Sequence, residues 1–518
     1  MSGRISRIAL PAITWTTFLV AVAWPTIALV AACATPGAPP AQGFTFGARS
    51  WTLLSRTLGI SAAATALCLL LSLPAAYALG RSRDLARRPL VVALLLTLLL
   101  TPPMVCVFGW QRILPAAMNA HVRCIGAWAL WAWPILAMLL GAGWARAARG
   151  AHEAATLVAS PWSAFLHVAL PILARYIAFG ALIVFVLFFG DYGVPHACGL
   201  TVYATEVLGW AQESSRTIDV LWPALPGVAV VGTAVWLMLR TSSRLPGDGD
   251  EAAGAPHDLS IRLPAGSRRA TLWHRLRAGG GAALGATIAL FAVSWLVPIG
   301  WLAVKLGSAA AYARAIETYA PDLGWSLVVA VVSGVGVVGM GLGVSGAGRW
   351  SRLALVWSVV LGALPGGLVG VALVAAYNNG LTYEVYDHWP IMALSYAARF
   401  AWIGLITGLL VAGRRSSPLT AQARTDGADD ASILTRVYVP MHVTTLLSAV
   451  AATAALALAD VAASSLVRVP SYNPIAHVLI EKYHRFEDDM LVSLSLWLVA
   501  AVVPAATLLA WVIKRRKR

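Results

Sequence analysis

Apolar windows of about 20 residues recur twelve times along this 518-residue chain, near 8–32, 53–79, 90–110, 125–145, 174–190, 221–240, 283–304, 324–346, 352–376, 392–412, 443–466 and 490–512. Each is long enough to cross roughly 30 Å of hydrocarbon as an α-helix. A helix satisfies its own backbone hydrogen bonds, which lipid cannot do for it. The expectation is an all-α membrane protein with about twelve transmembrane helices. Composition agrees: 59% of residues are hydrophobic and 12% charged, against about 25% charged in soluble domains. The third window is interrupted by Pro102-Pro103, and the fifth is short.

The net charge of +16 has a topology. With both termini inside, 27 of the 38 Lys and Arg residues fall on the cytoplasmic side and 11 outside, while Asp and Glu divide 9 inside and 13 outside. An excess of Lys and Arg in short cytoplasmic loops orients multi-pass proteins. The expected place is the cell's inner (plasma) membrane, surrounded by lipid, and the charge bias sets the orientation, with both termini cytoplasmic. The basic excess is read as a topology signal, and no nucleic acid partner is expected. Residues 241–282 carry Pro246 to Glu251 and then Arg268, Arg269, Arg275 and Arg277. They read as a charged cytoplasmic linker. It separates a first unit, 1–240, from a second, 283–518. The five cysteines form no CxxC pair, so no metal or disulfide framework is expected. Val30-Ala31-Ala32-Cys33 has the form of a lipoprotein box but reads as the small-residue end of the first span.

The two units repeat one plan. Arg56-Thr57-Leu58 has its counterpart in Trp325-Ser326-Leu327, Pro171 in Pro440 and Asp191 in Asp460, each 269 residues on. Pro365 answers Pro102 at a slightly different offset. Repetition at this scale implies duplication. Six spans per unit is an even number, so the repeats are expected to be parallel. Each unit also has a long cytoplasmic loop before its fifth span. These loops should form two short helices joined by a turn, near Ser160-Pro161 in the first and at Gly427 in the second, where glycine permits a positive φ.

The two loops resemble the signature of permease subunits of binding-protein-dependent ABC importers. That signature has Glu-Ala-Ala, a Gly several residues later, and a hydrophobic-Pro pair. The first copy supplies Glu153-Ala154-Ala155, Ala159 and Leu170-Pro171, with Val158 in the register of the Gly and its Glu-Ala-Ala displaced by one residue. The second supplies Asp426-Gly427-Ala428 and Val439-Pro440, keeping the Gly and lacking the Glu. The resemblance implies a type I importer permease fold. It also implies that each loop is a coupling helix docking on a separate ATP-binding subunit, expected as a homodimer. A periplasmic binding protein would deliver substrate. Phe189-Gly190-Asp191-Tyr192-Gly193-Val194-Pro195 resembles the ferric-iron branch, in which two six-span halves are often fused. Thiamine, phosphonate and polyamine permeases are the alternatives.

Ionisable residues within spans are functional candidates. Asp191 and Asp460 stand where a pathway would open outward; they either flank its mouth, where a hard cation would favour their oxygens, or cap their spans as interfacial carboxylates. Arg399 in span ten can pair with an acidic group or line the pathway; span four has Trp in its place. Trp128, Trp131 and Trp133 in span four suggest a membrane interface. His477, Glu481 and His484 share one face of an external helix, read as a solvated face or one touching the delivery protein rather than a metal site. None of the four lysines follows a glycine, so the phosphate-binding loop of an ATPase is absent. No catalytic cluster appears and no cofactor is expected, so the chain reads as a transport subunit and not an enzyme. A twelve-span secondary transporter is the competing class, through the spacing of Gly80 to Asp84.

Overall fold

The structure, a computed structural model, describes residues 12–34, 46–80, 89–115, 117–145, 149–214, 216–242, 281–345, 348–412, 418–467, 469–470 and 472–515. Most of the linker, Arg81 to Asp84 and the last three basic residues lie outside the described residues. Among the described residues the secondary structure is helical, with no strand. Ten helices are long and apolar enough to cross a membrane, and two further pairs qualify if each bent pair is one span. In chain order the long elements are α1 (Ala12–Ala32), α2 (Ala48–Gly80), the bent pair α3 (Leu90–Leu100) and α4 (Pro103–Ile113), α5 (Ala120–Gly143), α6 (Trp162–Phe189) and α7 (Thr217–Thr241). There follow α8 (Gly281–Val304), α9 (Tyr312–Val344), the bent pair α10 (Arg349–Ala363) and α11 (Gly366–Tyr377), α12 (Pro390–Val411), α13 (Leu434–Ala459) and α14 (Asp488–Ile513). This is a multi-pass membrane protein, and each expected window coincides with one helix or one bent pair.

The bends are sharp, 85° between α3 and α4 and 113° between α10 and α11. Each falls on a proline. Pro102 (φ −53°, ψ 130°) and Pro365 (φ −50°, ψ 133°) are extended and start the second helix of their pair. Proline lacks the N–H that would continue the first helix. The neighbours decide whether each pair crosses the bundle or doubles back. A Cβ at Gly141, near the end of α5, would lie 2.8 Å from Leu79 at the end of α2. At the other end, Thr57 of α2 bonds Tyr203, and Arg123 of α5 bonds the carbonyl of Cys198, so both helix starts meet one short stretch. Helices α2 and α5 are therefore parallel, and the chain between them must traverse. In the second unit Ser333 of α9 reaches Ala393 of α12, and Gly341 abuts Gly404 and Gly408. Those helices are parallel too. Both bent pairs cross the bundle.

The first span of each unit packs on the broken span of the other. On α1, the Trp24 indole donates to the carbonyl of Ala376, and Tyr377 Oη donates to that of Val20 (2.5 Å). Thr26 of α1 accepts from Trp357 of α10 at 3.0 Å. On α8, Trp295 donates to Thr101 Oγ1 between α3 and α4 at 2.9 Å, and Ser294 accepts from Trp133 of α5 at 3.0 Å. Gly109 of α4 lies so close to Pro298 that a Cβ there would come 2.5 Å from its carbonyl oxygen.

Thr57 and Ser326, singled out by the repeat, have matching duties. The Thr57 hydroxyl accepts the Tyr203 N–H at 2.8 Å, and the Ser326 hydroxyl accepts the Ile475 N–H at 2.9 Å. Those amides open the helices Tyr203–Glu213 and Ile475–His484. A helix start has unsatisfied donors, and here a hydroxyl from another helix caps one. Both hydroxyl residues are buried. Thr57→Val, which keeps shape and removes the acceptor, is expected to lower stability by about 1–3 kcal/mol. Ser326→Ala should do the same. Thermal unfolding of each variant in detergent checks this, and unchanged midpoints would show that the caps are idle.

A candidate cavity and two repeated loops

The three ionisable residues proposed from sequence line one cavity. Asp191 follows α6, Asp460 follows α13 and Arg399 lies on α12. With Pro103, Met104, Trp128, Phe188, Leu364, Phe400 and Trp402 they enclose about 140 Å³. Both helix breaks contribute to the wall, through Pro103 on one side and Leu364 on the other. Irregular backbone at membrane depth is tolerated where it is buried in protein or lines a cavity. Paired interruptions at corresponding positions of two repeats are the usual mark of a binding site in duplicated transporters.

Each carboxylate holds the chain that follows it. Asp191 Oδ1 accepts from the Gly193 N–H at 3.0 Å and Oδ2 from that of Val194 at 3.2 Å, capping the short helix Gly193–Ala197. Asp460 Oδ2 accepts from the Ser464 N–H at 3.2 Å. Each also faces a nitrogen from the fourth span of its unit. The Trp128 indole donates to Asp191 Oδ2 at 2.7 Å, and Arg399 Nε lies 2.9 Å from Asp460 Oδ1. One position in the plan thus carries a neutral donor in the first unit and a cation in the second.

Two placements follow from the helices. Trp128 lies eight residues into α5 and Arg399 nine into α12, about 12–13 Å from the helix starts at 1.5 Å per residue. The carboxylates therefore lie inside the bundle, level with the helix breaks. The chain after each span turns within the protein because its own carboxylate caps it there. The span-four tryptophans are also internal: Trp128, Trp131 and Trp133 are buried. Their indoles serve Asp191, the Thr101 carbonyl and Ser294. Sequence hydropathy cannot separate an interfacial Trp from one buried beside a polar partner.

The two loops have one architecture. In the first, the helix Arg149–Ala155 contains Glu153, Ala154 and Ala155; a turn follows through Ala159, then the helix Pro161–Ala164. In the second, Pro418–Thr425 is followed by a turn containing Asp426, Gly427 and Ala428, then Asp430–Ile433. Each then passes through one wide π turn, Phe165–Ala169 and Leu434–Tyr438, also 269 residues apart. Pro171 and Pro440 stand just beyond. A wide turn gives a proline ring room where an α turn would press it on the carbonyl four residues back. Gly427 has φ +81°. Its N–H bonds the Arg424 carbonyl and the Ala428 N–H that of Ala423, the pairing of a Schellman helix end. Val158, in the same register, has no positive φ, and its turn closes instead through its N–H to Ala155 and that of Leu157 to Ala154. The first loop is fastened by rings: Trp144 at the end of α5 lies 5.4 Å from His152 and 6.3 Å from Phe165. The second is fastened by Thr420 Oγ1 and Tyr438 Oη, 3.2 Å apart and buried.

The three residues of the external helix face separate. His477 Nε2 meets Ser464 Oγ at 2.9 Å, Glu481 pairs with Arg485 at 2.9 Å, and His484 Nε2 lies 3.1 Å from His196 Nε2. Among the described residues no group of three or more His, Cys, Asp or Glu is placed to hold a metal. Burial, and then the neighbouring His484, push His196 down to about 4. An unfolded histidine protonates near 6.5, so below that pH the unfolded chain binds the proton first. Neutral His196 thus contributes fully above about pH 6.5, and its contribution is lost as pH falls towards 4. Thermal unfolding between pH 7 and 4 should show this slope, and His196→Gln should flatten it.

No family model, curated protein or solved structure matches this chain.

Proposed function

We propose that this chain is the membrane-spanning permease subunit of a binding-protein-dependent ABC importer, built as two parallel six-span repeats in the inner membrane with both termini cytoplasmic. The observation that carries the reading is the pair of loops: helix, turn, helix, π turn and proline recur 269 residues apart. The charge bias puts both on the cytoplasmic side. An ordinary connector has no need of two fastened copies. The first loop also offers an apolar tip, with Leu157 and Trp162 each 67% exposed and Val158 90%. An apolar loop tip of this kind suits docking on another protein.

The importer reading assigns ATP hydrolysis to a separate homodimeric subunit that receives both loops, and substrate delivery to a periplasmic binding protein. The loops carry the motion of that ATPase to α6 and α13, whose far ends reach the cavity. The test is affinity purification from native membranes followed by uptake in vesicles. An ATP-binding subunit should co-purify, and uptake should need ATP. Proton-driven uptake without any ATPase would establish the secondary-transporter class instead.

A further inference from the structure

We propose that the cavity takes a small organic oxyanion, a carboxylate, sulfonate or phosphonate, with Arg399 as its anchor. This rests on the transport reading of the cavity and assigns its cargo to a class other than a bare hard cation. Four observations converge. Arg399 meets Asp460 as an ion pair only, with Nε 2.9 Å from Oδ1, and both Nε and Nη1 are buried without a hydrogen-bond partner among the described residues. A buried donor left in this way calls for a partner. Second, Arg399 Nη1 adjoins Gly366, where a Cβ would come 2.3 Å from it. Gly366 opens α11, and neither α11 nor α4 has a side-chain cap at its start. Helix starts present free N–H groups and a partial positive charge to anions.

Third, the carboxylates are committed. Asp191 accepts three hydrogen bonds and Asp460 already faces a guanidinium. A metal ion would have to strip these donors and sit beside Arg399. Fourth, the remaining wall is aromatic and aliphatic, with Phe188, Leu364, Phe400 and Trp402. That wall suits a carbon skeleton. At roughly 10–15 Å³ for each water, the 140 Å³ holds a solute of about ten heavy atoms.

The probe is phenylphosphonate, which has an aromatic body and an oxyanion of about that size. Binding is read from tryptophan fluorescence of the full chain in nanodiscs without any ATPase. Phenylphosphonate should change the emission saturably. Arg399→Gln should weaken it at least ten-fold, with Arg399→Lys recovering part. Benzyltrimethylammonium and gadolinium(III), an organic and a hard cation, should not bind. Should Arg399→Gln fail to fold, Leu364→Trp fills the cavity without touching the ion pair and should abolish binding. Saturable binding of either cation, equal phenylphosphonate binding in wild type and Arg399→Gln, or no binding of any probe would overturn the proposal. These outcomes leave the importer reading standing, since no ATPase is in the assay. A failed ATPase co-purification would in turn leave the binding result standing.

Discussion

Gly427→Val is expected, on the importer reading, to cut ATP-driven uptake at least ten-fold while the protein still inserts and unfolds cooperatively. Gly427 has φ +81° and ends its helix in a Schellman turn. A β-branched residue in that region costs about 1–3 kcal/mol. Among the described residues nothing lies within 4 Å of a Cβ there, so the penalty is backbone strain and not a clash. The loop can escape it by unwinding the turn, which re-aims the short helix Asp430–Ile433. Asparagine tolerates the left-handed region, so Gly427→Asn should keep most of the uptake. Glu153→Lys, on an ordinary helix of the first loop, should weaken ATPase association by charge and leave the fold alone. The measurements are co-purification with the ATPase and uptake in vesicles. Wild-type values for both in a chain altered in both loops would remove the coupling role and favour the secondary transporter.

Arg399→Met is expected to destabilise the protein by about 3–5 kcal/mol, the usual effect of stranding one member of a buried ion pair. The side chains are 14% and 2% exposed, so solvent cannot relieve Asp460. Met leaves a carboxylate beside an apolar wall with only backbone donors. The double variant Arg399→Met with Asp460→Leu should recover part of the loss, because it removes both charges, although Ser464 then loses its acceptor. Arg399→Trp asks a sharper question. The first unit meets the same need with Trp128 donating to Asp191, so an indole at 399 can supply the N–H without the charge. It should be milder than Arg399→Met. Denaturant unfolding of the four chains compares them, and equal stability of wild type and Arg399→Met would show that the pair contributes nothing.

What the sequence made legible was what local pattern governs. Twelve apolar windows became helices because length and hydropathy decide a span. The positive φ at Gly427 was readable because glycine is the residue that enters that region cheaply. Pro102 and Pro365 were visible as interruptions, but not as bends of 85° and 113°, since neighbouring helices decide the angle. The 269-residue spacing pointed to Asp191 and Asp460, and the same comparison set Trp beside Arg399 without saying what either does. Their partners lie about sixty residues away in sequence, and only packing brings them together. The hydroxyls of Thr57 and Ser326 were present in the repeat, yet a serine or threonine in an apolar helix has too many uses for its cap to be read.

The exchanged first spans have a consequence for stoichiometry. Because α1 clasps the broken span of the second unit and α8 that of the first, neither unit presents a finished surface to a copy of itself. Joining both in one polypeptide then sets the composition of the chamber once and for all. A symmetric pair of first units would carry two indoles at the donor position and no guanidinium, and a symmetric pair of second units two guanidinia. The tethered chain always has one of each. On the transport reading, whatever passes meets a lopsided chamber, with an indole beside a carboxylate on one wall and a guanidinium beside a carboxylate on the other, and so has a preferred way round as it crosses.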